Sequence, residues 1–249
     1  MIHFGDLPPK NADETYRHFF HDAEQVVAVS EDIKKNYDKQ FGLNCRVIYP
    51  LAPFSSCKED KDLLRERYHI PIDSKVICMV GSLKDMKNPD TILEAVAGLS
   101  SHHSLHIVYA GGGGLMDELK EKAKSLNICQ QVTFLGNVPK DKVNEVYKLA
   151  DYYLIASDFE GTSVSLLEAM FNRKAIVTSR APGIVNTIQE DEECLMYDTR
   201  DSDKLRQCLV RFLEHDELCE RLSEKAYMRF MKDYNYDNVI SAYIEILNK

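Results

Sequence analysis

Two carboxylates, Glu160 and Glu168, stand eight positions apart with GTSVSLL between them. Gly161 relieves the backbone after the first acid. Thr162 or Ser163 can cap a helix whose first free amides then belong to roughly residues 163–166. Free amides at a helix start, with the helix dipole behind them, make a seat for an anion. Glu168 lies about one turn further in, and residues three and four apart share a helix face. A carboxylate there can accept hydrogen bonds from a vicinal diol, as acids do with ribose in dinucleotide folds. Glu160, carried on the loop, can reach a sugar's hydroxyls. The same residues also fit a plain capped amphipathic helix with acids toward its N-terminal half.

A second candidate is VGSLKDMKNPD, residues 80–90. Gly81 and Ser82 are followed by Lys84 and Lys87, and Asn88-Pro89-Asp90 opens a helix. A lysine beside a helix start adds a point charge for phosphate. Lys87 adjoins that start and is favoured over Lys84; the alternative is a solvated surface lysine. The run AGGGGL (110–115) permits close backbone approach. Its spacing is not G-x-G-x-x-G with an acid on the next strand, so a tight turn packing a helix near the sheet is the favoured reading. His102, His103 and His106 have no nearby cysteine or paired acid to complete a metal site. They are read as solvated loop and strand edge, and no metal is expected. The seven cysteines are odd in number and lack a CxxC, which suits reduced thiols.

These residues need a frame. Apolar runs at 25–29, 45–49, 75–82, 105–110, 131–136, 152–157, 175–179 and 193–198 read as strands. Between them, 30–41, 62–68, 91–99, 115–126, 141–150, 165–171 and 185–190 read as helices, and from Ser202 onward the chain is helical with a break near 233–235. Regular alternation means a doubly wound parallel sheet with helices on both faces. Ligands of such sheets bind outside the carboxyl ends of the strands, so the loops after Val80, Ala110, Gly136 and Ser157 are the places to look. Residues 1–54 hold too few elements for a domain; 55–232 hold a complete unit; 233–249 form a last helix.

With 249 residues the chain can bury a sizeable core. Its net charge of -9 argues against nucleic acid as a partner. No apolar run approaches the roughly 20 residues of a membrane span. MIHFGDLPPK has no charged n-region or apolar h-region, so no signal peptide is expected. A cytoplasmic protein, at the inner face of the membrane if anywhere near it, is the resulting expectation.

Taken together, VGSLKDMKNPDTILEAVAGL, LHIVYAGGGG, VTFLGNVP and ADYYLIASDFEGTSVSLLEAMFNRKAIVTS resemble, in order, the retaining glycosyltransferases of the GT-B fold, family 4 type, also called glycosyl transferases group 1. Glu160 and Glu168 fit the family's E-x7-E motif. The resemblance covers about residues 25–245 and centres on the C-terminal, donor-binding half of a GT-B fold. It implies a Rossmann-like domain that holds a nucleotide-sugar facing a second such domain. Carried over, Lys87 contacts the diphosphate, with Gly81 and Ser82 in the same loop. Gly161 to Ser165, through Thr162, Ser163 and Val164, share that charge by their backbone. Glu168 binds the ribose, Glu160 holds the transferred sugar near its reacting carbon, and Gly136, Asn137 and Val138 lie beside the base. The family needs no metal or other cofactor, because cations and helix amides neutralise the diphosphate.

Three departures qualify this. Ser82 stands where many members carry an arginine, Arg173 replaces a usual glycine, and 1–54 resembles only the end of the acceptor-side domain, which by domain size would need another ~100 residues. The expected activity is retaining hexosyl transfer to a glycan, lipid or polysaccharide precursor of the cell surface. The alternative is a non-catalytic nucleotide-sugar-binding subunit whose acceptor half comes from a partner chain or a second copy. A sugar-nucleotide epimerase on the same fold is disfavoured by the E-x7-E block.

Overall fold

A computed structural model describes residues 2–4, 20, 23–50, 54–99 and 103–248. The reading of MIHFGDLPPK (beyond 2–4), His102 and the linker positions 51–53 lie outside them. The described chain folds into two parallel sheets.

The small sheet contains β1 (Ile2–Phe4), β2 (Val26–Ala28) and β3 (Arg46–Val47), in that spatial order. Between β2 and β3 runs α1 (Glu31–Phe41). Ser30 Oγ accepts from the Ile33 amide at its start, and left-handed Gly42 ends it.

The large sheet contains β4 (Lys75–Val80), β5 (Leu105–Ala110), β6 (Val132–Gly136), β7 (Tyr152–Ile155), β8 (Ala175–Ser179) and β9 (Leu195–Tyr197). All its pairings are parallel, and the spatial order is β6-β5-β4-β7-β8-β9. Side chains alternate across it as a period of two requires. Ile77 and Met79 point into one core, Val76 and Cys78 into the other. The first core is covered by α3 (Pro89–Ala97), α4 (Met116–Ser125) and α7 (Ser202–Glu214). The second is covered by α2 (Lys61–Arg67), α5 (Val143–Leu149) and α6 (Val164–Phe171). Helix α8 (Asp216–Arg229) contributes Leu222 to one core and Ala226 to the other. After a π-helical turn (Phe230–Tyr234), α9 (Tyr236–Leu247) lies on the small sheet, where Val239 and Ile246 pack with Val27 and Ile48.

Chain order reverses between β4 and β7: β5 and β6 extend the sheet one way from β4, and β8 and β9 extend it the other way from β7. In open parallel sheets this switch point opens the ligand crevice at the carboxyl ends.

Two sequence expectations need correction. Residues 185–190 form no helix; 182–187 are successive turns. Gly183 is left-handed (φ 85°) and its neighbours make turn bonds such as Thr187 N–H to the Ile184 carbonyl. His106 is not a solvated edge. It is 3% exposed inside β5, its Nε2 lies 2.8 Å from Thr133 Oγ1, and burial, helped by Arg65, pushes it down to about 4. Among the described residues no group of three His, Cys, Asp or Glu is placed to hold a metal ion. All seven cysteines are unpaired.

Candidate functional site

The candidate residues gather at the carboxyl ends of β4 to β7. After β4, Gly81 donates its amide to the Ala110 carbonyl at 2.9 Å. Gly111 (φ 151°) lies so close that a Cβ there would sit 1.9 Å from the Gly81 carbonyl oxygen. The glycine run is a close-packing turn, but what it packs is the lysine loop and not a helix: it seats that loop against the end of β5. Gly136 bridges Gly111, and the Asn137 side chain lies over Gly112. Gly136, Asn137 and Val138 are three strand positions from β7, about 14 Å at the usual spacing.

The lysine loop tightens into a 3-10 turn, Asp85–Lys87, and Asn88 turns left-handed (φ 43°) before Pro89 starts α3. Asn88 does not cap α3. Its side-chain amide instead donates to the Ala156 carbonyl at 2.9 Å and to Asp158 Oδ1 at 2.6 Å, and the Asp158 amide donates to the Met86 carbonyl. The loop after β4 is thus stitched to the loop after β7. This brings Lys87 Nζ to 2.5 Å from Glu160 Oε1, with side chains 22% and 10% exposed. Ser157 Oγ donates to the same oxygen at 2.6 Å. Lys87 and Glu160, 73 positions apart in sequence, meet at the switch point.

Helix α6 begins where the spacing predicts. Ser163 is its cap, and its Oγ accepts from the Leu166 amide at 3.4 Å. Such a cap contributes about 1 kcal/mol. The amides of Val164 and Ser165 open the helix, beyond the reach of its own carbonyls. Thr162 does not cap; its hydroxyl donates to the Val29 carbonyl at the end of β2. Ser165 Oγ accepts from Tyr153 Oη at 2.8 Å. Glu168 lies one turn on, where Tyr147 Oη of α5 donates to its Oε2 at 2.9 Å. Burial pushes the Glu168 carboxyl above its ordinary range, against the downward pull of the Tyr147 bond.

Some contributors were not evident from sequence. Gly183, after β8, presses on the first acid's loop: a Cβ there would sit 1.9 Å from the Glu160 carbonyl oxygen, and the Glu160 amide donates to the Pro182 carbonyl. Pro-Gly beyond a strand end was the available signal. Asp32, in the first turn of α1, accepts from the Gly183 amide at 2.8 Å and from Asn186 Nδ2 at 2.6 Å. Arg200, after β9, reaches Asp158, and Tyr147 reaches Glu168; nothing in their local sequence marks them. Arg173 takes up the left-handed backbone (φ 51°) that suits a glycine, stacks on Tyr227 at 3.6 Å and pairs with Glu224.

The arrangement places one cation, one buried carboxylate, a helix start and a second carboxylate in sequence around a crevice. Comparison with known proteins identifies the family. An uncharacterised glycosyltransferase of Methanocaldococcus jannaschii is 25% identical over 230 residues, 89% of this chain and 59% of that protein. A D-inositol 3-phosphate glycosyltransferase of Corynebacterium glutamicum is 25% identical over 237 residues, 89% of this chain and 56% of that protein. The chain therefore spans a little over half the length of these curated relatives. Anabaena HepE, solved in complex with UDP and glucose, superposes with a TM-score of 0.88 at 17% identity, over 100% of this chain and 71% of that one. The sequence model for glycosyl transferases group 1 matches residues 60–229, from α2 to the end of α8, and the chain belongs to that family.

Proposed function

We propose that this chain binds a nucleotide-diphosphate sugar at the switch point and serves sugar transfer to an acceptor with retention. The observation that carries it is the meeting of Lys87 and Glu160 beside the start of α6. The β-phosphate end of the donor takes Lys87 and the amides of 163–165, a charge seat that requires no metal or other cofactor. Gly81 and Ser82 line the same loop, and Gly161 to Val164 give their backbone to it. Glu168 accepts from the ribose hydroxyls. Gly136 to Val138, about 14 Å along the sheet edge, flank the base. Glu160, released from Lys87 by the phosphate, turns to the sugar. The UDP held by HepE supports a uridine nucleotide as the first donor to try.

The acceptor, a glycan, a lipid or a polysaccharide precursor, would lie across the crevice toward the small sheet. Work at the cytoplasmic membrane face, with peripheral contact, suits a lipid acceptor. A second reading is a donor-binding subunit completed by a partner chain or another copy.

Calorimetric titration with UDP, UDP-glucose, GDP-mannose and ADP-glucose tests the first reading. One of these sugars should bind below millimolar, and Lys87→Ala should weaken it about tenfold or more by removing a charged hydrogen bond. No binding of any of them to the unmodified chain at millimolar concentration would sink it.

A further inference from the structure

We infer that Asp158 and Arg200 are positioning residues that set the spacing between Lys87 and Glu160. This rests on the donor-site reading above and adds to it a pair outside the E-x7-E motif.

The two reacting ends of the site sit on different loops. Lys87 closes a three-residue turn, and Glu160 follows β7 by five positions. Neither loop is regular enough to hold a side chain to a fraction of an ångström unaided. Asp158 lies two residues before Glu160, and its carboxylate is the point at which three segments join. Oδ1 accepts from Asn88 Nδ2 at 2.6 Å, the residue next to Lys87. Arg200 Nε lies 3.2 Å from both Asp158 oxygens, and one Nη lies 2.7 Å from Oδ2. That same Nη is 3.4 Å from Asp85 Oδ2, at the start of the lysine turn. One guanidinium therefore spans both loops, a geometry a lysine cannot reproduce. Arg200 comes from beyond β9, two strand positions away from β7. It reaches across from a left-handed backbone (φ 64°), a conformation a non-glycine residue keeps only when its surroundings hold it there.

Lys87 is long and can follow a phosphate through a small shift of its turn. Glu160 is short, buried and tied to Ser157. When the clamp slackens, the diphosphate stays bound, but the sugar it carries no longer meets Glu160. The loss should fall on the sugar's share of binding, because small misplacements near reacting atoms are costly.

The test compares the unmodified chain with Arg200→Ala and Arg200→Lys. Arg200 is exposed, so both should fold with little change in melting temperature. Hydrogen exchange, which needs no ligand, should show the Asp158 amide exchanging about tenfold faster in Arg200→Ala, with β4 and β7 unchanged. Calorimetry should show UDP-glucose weakened about tenfold and UDP by less than about threefold, with Arg200→Lys between the two proteins. Unchanged exchange at Asp158 overturns the clamp. Faster exchange with an unchanged gap between UDP and UDP-glucose overturns the positioning role. If the unmodified chain binds neither uridine compound nor any other donor, it is the donor-site reading that fails, and the clamp is decided by exchange alone.

Discussion

At the scale of single residues, the acids differ in what their surroundings do to them. Glu168 is pushed up by burial, with Tyr147 offering one opposing bond. A carboxyl raised in the fold binds its proton more tightly there than in the unfolded chain, so the charged form costs stability. That cost is absent below the ordinary carboxylate range and fully present above the raised value. Glu168→Gln keeps an acceptor for Tyr147 and removes the charge. Its melting temperature at pH 7 to 8 should exceed the unmodified chain's by about 1–2 °C, the difference should vanish by about pH 4, and donor affinity should fall even though the fold has gained. A mutant less stable at neutral pH would contradict this balance. The two glutamates and Lys87 could be picked out in the sequence as candidates because their types and spacing suit an anion seat and a diol acceptor. The Lys87–Glu160 ion pair was not, since nothing local links two residues 73 positions apart.

At the scale of elements, the strands of the large sheet were readable to within about two residues, because buried parallel strands are unbroken apolar runs, whereas β1 was not read from the sequence. The helix start at Ser30 was readable from its cap, and of the two caps open for α6 the structure uses Ser163. The stretch after β8 was misread as helix from its polar-apolar pattern. What decides it is backbone: Gly183 is left-handed and packed on the Glu160 carbonyl, and a pattern of side chains carries no record of either. Gly183→Ala would force a Cβ into that oxygen at an unfavourable φ. It should lower the melting temperature by about 3–8 °C, the consequence of roughly 1–2 kcal/mol of strain and overlap, and weaken donor binding with it. A thermal scan beside the titration distinguishes this from a harmless surface change, which would move neither.

At the scale of the whole molecule, two sheets are joined through their loops. The fold class could be read from the order of elements and the family from the resemblance of particular segments, but not the joints between the sheets, which depend on contacts far apart in the chain. Asp32 and the Val29 carbonyl at the end of β2 are both bound to loops of the large sheet that carry the site. Asp32→Ala removes two of those bonds. Amides of β2 and α1 should exchange several-fold faster, while those of β4, β5 and β7 should keep their protection. Equal exchange throughout would show that Asp32 is no joint.

The site's cation has a counter-ion within the fold. With Lys87 held by Glu160, these two charges offset one another. If the donor binds as proposed, its diphosphate would exchange places with that carboxylate and so free it, phosphate first and sugar second. A free sugar arriving alone would find no open acceptor at Glu160, so the donor would be recognised as a whole molecule instead of by its parts.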